Sequence, residues 1–93
     1  MLTLTRTLTI INKRGLHARA AAKFASTSAL YKSVIKTRVG TSNNWVDGKS
    51  VMSLMLLAAS QGTTLEIQVD GEDAEHALEA LCQLIEKRFE EDE

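Results

Sequence analysis

The period of the apolar side chains switches along this chain between two and about 3.6 residues, and each switch marks an element with one side to bury. Leu2, Leu4, Leu8 and Ile10 alternate with Thr3, Thr5, Thr7 and Thr9, with Arg6 interrupting the apolar side. That is a strand with β-branched residues on its polar face. After the turn residues Asn12-Lys13-Arg14-Gly15, Ala18, Ala21, Ala22, Ala25 and Ala29 recur at helical spacing, so a helix is predicted to begin near His17. Its alanines favour helix and allow close packing on a sheet.

Tyr31 to Val39 reads as a second strand, Gly40 to Asn44 as a polar turn, and Trp45-Val46 as a short third strand completing a hairpin. Asp47-Gly48 breaks that strand and Ser50 can cap a helix over Val51 to Ala59, where eight of nine residues are apolar, with Gly62 as the stop. Leu65, Ile67 and Val69 alternate with Thr64, Glu66, Gln68 and Asp70, the cleanest half-buried strand, ended by Gly71. From Glu72 onward, Ala74, Leu78, Leu81 and Ile85 mark an amphipathic helix with acids in its first turn and Lys87-Arg88 in its last. The order βαββαβα in 93 residues predicts one domain, an α/β two-layer sandwich in which helices cover one sheet face and a face rich in Thr and Lys stays wet.

With 44% apolar and 25% charged residues the composition is that of an ordinary globular chain and argues against disorder. The longest apolar stretch, Leu54 to Ala59, is far short of the ~18–20 residues of a membrane span. The N-terminus lacks the pattern of a secretory signal, so a cytoplasmic location without membrane insertion is expected. One cysteine, Cys82, leaves neither a disulfide nor a metal-ligand cluster, and it is expected to be buried. The net charge of −1 conceals two opposed halves: residues 1–49 carry nine bases against Asp47, a balance of +8, and residues 50–93 carry Lys87 and Arg88 against eleven acids, a balance of −9. Such a pattern suits either a basic face for an acidic or phosphorylated partner, or neutralisation within the chain.

Two histidines occur. His76 lies among Glu72, Asp73, Glu75 and Glu79 and reads as a solvated helix residue. His17 stands where a helix normally takes Ser, Thr, Asp or Asn as its cap. The first-turn amides of Ala18, Arg19 and Ala20 lack intrahelical acceptors, the helix dipole puts partial positive charge there, and the two together attract anions. Imidazole is a usable nucleophile at neutral pH, and Arg19 adds a charge that does not titrate away. A phosphoryl group is the ligand this chemistry suits.

Gly15-Leu16-His17-Ala18-Arg19-Ala20-Ala21 resembles the phosphorylation-site segment of the HPr family, the histidine-containing phosphocarriers of the bacterial phosphoenolpyruvate-dependent phosphotransferase system. Lys49-Ser50-Val51-Met52-Ser53-Leu54-Met55, followed by Gln61-Gly62-Thr63, is similar to the family's second signature. The resemblance implies a four-stranded antiparallel sheet covered by three helices, phosphorylation of His17 on Nδ1, an active-site role for Arg19, and a regulatory serine position at Ser50, the target of a serine kinase in some members. It also implies an upstream phosphoenolpyruvate-dependent enzyme as donor and downstream phosphoryl-acceptor domains as recipients, with no cofactor and a monomeric carrier. Ala20 stands where the family pattern has proline, which restores one amide donor, and the loop Thr41 to Asn44 is slightly long. Sugar uptake and a nitrogen-related regulatory branch need the same His17 chemistry, and both stay open.

A helix with one buried stripe does not need eight apolar residues in nine. Val51, Met52 and Met55 are therefore expected to form an exposed patch beside His17 that docks partners together with Arg14, Lys23 and Lys49. Two other functions compete. A transfer-inactive regulator could bind targets through Ser50 to Ser60, although the presence of both His17 and Arg19 speaks against a degenerate site. An RNA-binding sandwich would use the basic half, but Phe24, Tyr31, Trp45 and Phe89 are the only aromatics, too few for stacking platforms.

Overall fold

The computed structural model describes residues 2–93. Strand β1 (Leu2–Thr9) leads into helix α1 (Ala18–Ala29), followed by β2 (Val34–Val39), β3 (Val46–Asp47), α2 (Val51–Leu56), β4 (Thr64–Gly71) and α3 (Ala74–Glu86), and the chain closes with one turn at Arg88–Glu90. This is the predicted βαββαβα order. The four strands form one antiparallel sheet in the order β1-β4-β2-β3. β4 is central because it can pair on both edges: with β1 from Leu2↔Gly71 to Thr9↔Thr64, and with β2 from Val34↔Asp70 to Val39↔Leu65.

One sheet face is apolar. Leu65, Ile67 and Val69 from β4 and Ile35 from β2 are fully buried against Phe24 of α1, Leu54 of α2, and Leu81 and Ile85 of α3 in one continuous core. Thr3, Thr5, Thr7, Thr9 and Lys36 are exposed on the other face, where Arg38 stacks 4.3 Å over the Trp45 ring and pairs with Glu66 at 2.6 Å. Arg6, the interruption on β1, donates from Nη1 to Cys82 Sγ at 3.3 Å, and Cys82 is buried.

Several boundaries and faces differ from the sequence reading. β3 is Val46–Asp47 instead of Trp45-Val46, because Asp47, expected to break the strand, pairs with Lys36 inside it. The buried stripe of α1 is Ala20, Ala21, Phe24, Ala25 and Ser28, with Ala18 and Ala29 exposed; the large Phe24 side chain decides which face turns inward, since alanine has little area with which to oppose it. β2 begins at Val34 instead of Tyr31 because Tyr31 N–H closes the end of α1 onto Ser28 and the amides of Lys32 and Ser33 donate to the Asp73 carboxylate. α2 stops at Leu56, short of Ala59 and Ser60, because Ala58 adopts positive φ (52°) and the Ala59 carbonyl is taken by Leu16 N–H at 2.8 Å. Lys87 and Arg88 lie beyond α3 instead of in its last turn: Lys87 caps the helix and Arg88 starts the closing turn.

Asp73 ties the α1–β2 connection to the start of α3. Its carboxyl is held below the usual carboxylate range, first by the Ser33 hydroxyl and then by the Lys32 amide. A carboxyl lowered in the folded state stabilises the fold fully above its unfolded value of ~3.9 and loses that contribution as pH falls toward the folded value. Asp73→Asn should therefore cost stability near about pH 7 and leave a shallower decline toward about pH 3, as urea midpoints at the two pH values would report; parallel pH curves for parent and variant would remove Asp73 from this role.

Candidate functional site

Gly15 sets the geometry at the start of α1. It has φ +69°, a conformation costly for any residue with a Cβ, and a Cβ there would meet the Ala59 carbonyl oxygen at 2.5 Å and Ser60 Cα at 2.8 Å. The turn before it closes through Gly15 N–H to the Asn12 carbonyl at 3.2 Å, and Leu16 N–H donates to Ala59. Two loops distant in sequence are thereby clamped together, and the residue that follows, His17, is fixed as the N-cap of α1 with extended backbone (φ −74°, ψ 179°).

As cap, His17 accepts through Nδ1 from the Arg19 amide at 3.3 Å. The helical ladder starts with Ala21 N–H donating to the His17 carbonyl at 2.8 Å, so the amides of Ala18, Arg19 and Ala20 precede it at the positive end of a 12-residue helix. The other ring nitrogen, Nε2, faces the Glu91 carboxylate. A carboxylate partner on Nε2 holds the proton there and leaves the lone pair of the neutral ring on Nδ1, the nitrogen aimed at the helix amides. The imidazole side chain is only 16% exposed.

Glu91 and Asn12 carry no signal in the local sequence, yet both belong here. Asn12 is fully buried and its Nδ2 donates to the Gly15 carbonyl at 2.8 Å and to Glu91 Oε1 at 3.0 Å. Partial desolvation alone would push the Glu91 carboxyl up, but hydrogen bonds from His17 and Asn12, aided by the Arg14 charge, bring it below the usual range. The tail reaches the ring through consecutive positive φ values at Arg88, Phe89 and Glu90 (57°, 55° and 64°), with Phe89 fully buried. Arg14 lines two hollows, one of about 440 Å³ between Arg19, Lys23 and the acidic tail, and one of about 230 Å³ with Leu16, His17 and Ala58 to Ser60.

The expected docking residues are differently placed. α2 packs against α1, and Met52 (75% exposed), Met55 and Val51 face solvent together with Leu56 (82%), which the sequence reading omitted; only Leu54 of this helix is buried. Lys23 and Lys49 are engaged within the chain: Lys23 Nζ donates to the Phe89 carbonyl at 2.8 Å and lies 3.6 Å from Glu90, and Lys49 Nζ donates to the Tyr31 carbonyl at 2.9 Å. Ser50 is the N-cap of α2, its Oγ accepting from Ser53 N–H at 3.2 Å.

Fold and site define a class: a small open-faced α/β sandwich that presents a histidine as the N-cap of its first helix. Residues 4–87 match the family described as PTS HPr component phosphorylation site. The phosphocarrier protein HPr of Pseudomonas aeruginosa is 51% identical over 87 residues, covering 92% of this chain and 94% of that protein, and its counterpart from Xylella fastidiosa strain Temecula1 is 49% identical over 85 residues, covering 91% and 93%. The crystal structure of HPr-C-His from Thermoanaerobacter tengcongensis superposes with a TM-score of 0.89 at 40% identity, covering 97% of this chain and 99% of that one. The chain belongs to the HPr family of phosphocarriers.

The Gly15 clamp is directly testable. Gly15→Ala is expected to lose about 1–3 kcal/mol and to shift the His17 ring resonances, as a thermal melt and an NMR spectrum would show; an unchanged melting temperature would mean that the close approach to Ala59 is easily relieved.

Proposed function

We propose that this protein carries a phosphoryl group on Nδ1 of His17, received from a phosphoenolpyruvate-charged upstream enzyme and passed to a downstream acceptor domain of the phosphotransferase system. The observation that supports this reading most is the His17 ring at the N-cap, with Nε2 engaged by Glu91 and Nδ1 directed at the first amides of α1. In the transfer, the Nδ1 lone pair attacks phosphorus as the donor's bond to phosphorus breaks. The Ala18, Arg19 and Ala20 amides and the Arg19 guanidinium then face the phosphoryl oxygens. Arg19 N–H, which donates to Nδ1 in the uncharged protein, is in place to turn to an oxygen of the group that arrives. The chain's contribution is positioning and charge stabilisation, with no turnover of its own.

Docking on this reading uses Arg14 and Arg19 as the cations nearest the ring and Val51, Met52, Met55 and Leu56 as the apolar contact, with charge governing the encounter rate. The protein works as a cytoplasmic monomer, and a kinase acting on Ser50 would add a negative charge beside this surface. The RNA-binding reading loses support because Phe24 and Phe89 are in the core and Trp45 is covered by Arg38.

Charging with phosphoenolpyruvate and an upstream enzyme should add one phosphoryl group that is lost in acid and kept in base, since a ring nitrogen protonates readily as a leaving group. His17→Ala should abolish it, as intact-mass measurement would show; a label persisting in that variant ends the carrier reading. Ser50→Asp should preserve the fold, because aspartate also caps, yet slow transfer by roughly tenfold or more, equivalent to about 1.4 kcal/mol of like-charge repulsion. Ser50→Ala should lose ~1 kcal/mol of stability and transfer normally. Transfer assays and melts of the two variants separate these effects, and a fully active Ser50→Asp protein would place this helix start outside the docking surface.

A further inference from the structure

Glu91 lies 74 positions from His17, in a tail that reads from sequence as mere acidic excess. Its arrangement is specific. One carboxylate oxygen faces His17 Nε2, and the other accepts from the side chain of Asn12, itself fully buried. Phe89, two residues before it, is fully buried, and three successive residues in left-handed backbone turn the chain so that Glu91 meets the ring. A non-glycine run of that kind persists only where its surroundings hold it. The tail is also held by hydrogen bonds from Lys13 N–H to the Glu93 carbonyl and from Lys23 Nζ to the Phe89 carbonyl, whereas its ion pairs, Lys13–Glu93 at 3.4 Å and Lys23–Glu90 at 3.6 Å, carry little energetic weight.

We propose that Glu91 is a positioning residue for phosphoryl transfer: its carboxylate holds the Nε2 proton of His17 and faces the positive charge that the ring acquires when Nδ1 bonds to phosphorus. This rests on His17 being the phosphorylated residue. When the Nδ1 lone pair forms the P–N bond and the donor's bond to phosphorus breaks, no proton leaves Nδ1. The ring keeps its Nε2 proton and becomes an N-phosphorylated imidazolium, and the carboxylate stabilises that cation. On delivery the acceptor's nucleophile attacks phosphorus, the P–N electrons return to Nδ1, and the neutral ring is left with its proton still on Nε2. A fixed carboxylate behind a histidine does the same work in hydrolytic triads, where it orients the ring and stabilises the imidazolium.

A tail that instead competed with an acidic partner for Arg14, Arg19 and Lys23 would have the opposite effect, so the two readings predict rate changes of opposite sign. Glu91→Gln keeps the size and one acceptor but removes the charge; because the Glu91 side chain is only 15% exposed, a thermal melt of the variant checks that the fold is kept. In the full chain, Glu91→Gln should slow charging of His17 by roughly tenfold, and Glu91→Asp should recover part of the rate. In the parent, NMR of ring-15N-labelled protein should show a downfield Nε2–H resonance protected from exchange, which disappears in Glu91→Gln. Faster charging of Glu91→Gln would establish a competing tail and overturn the proposal. Charging at the parental rate, or a parent without the protected Nε2–H signal, would overturn it as well. If the parent is not charged at His17, the carrier reading falls and this role with it, whereas a charged parent matched by Glu91→Gln removes only the role of Glu91.

Discussion

The approach of Gly15 to the Ala59–Ser60 backbone holds the functional end of this molecule together. A turn between β1 and α1 and a loop between α2 and β4 meet so closely that no Cβ fits between them, and the Leu16–Ala59 hydrogen bond crosses the junction. Only a residue free to adopt positive φ can close such a contact. Two consequences follow from it. His17 is left in extended backbone as the cap of α1, and α2 ends early so that Ala59 can present its carbonyl.

Charge neutralisation in this fold is local and directional. The halves of +8 and −9 meet where the last four residues lie over Arg14, Lys23 and the ring of His17, yet the exposed pairs there are worth only ~0–1 kcal/mol each. Burial of Phe89, at about 2–3 kcal/mol, offsets roughly half the cost of placing three side-chain-bearing residues in left-handed backbone, about 3–6 kcal/mol together. Apolar anchoring and the Glu91 hydrogen bonds, more than the ion pairs, therefore keep the tail at the site. The result is a histidine whose two nitrogens have different surroundings, a carboxylate behind and amide donors in front. A carrier that must accept a group and then release it gains from that asymmetry, because the ring is oriented without being blocked.

Neutralisation within the chain accounts for part of the charge pattern. Arg14, Arg19 and Lys23 border one hollow together with the acidic residues Glu90 to Glu93, and Lys23 and Lys49 donate to backbone carbonyls of their own chain. The Met-rich patch on α2 is exposed because a helix of six residues turns only one side chain, Leu54, fully inward.

Strand and helix order, the wet and dry faces of β4, the cap at Ser50 and the special position of His17 were all legible in the sequence, because periodicity, capping and the free amides of a first turn are decided within a few residues. The inward face of α1 was not, since a run of alanines has no strong preference until Phe24 meets the core. Nor were the end of α2, the start of β2, the central place of β4, or the partnership of Glu91 and Asn12 with His17. Each of these is set by groups thirty to eighty positions apart, such as Asp73 with Ser33 or Glu91 with His17. No local pattern encodes such a meeting, because its geometry exists only after the sheet has brought the two ends of the chain side by side.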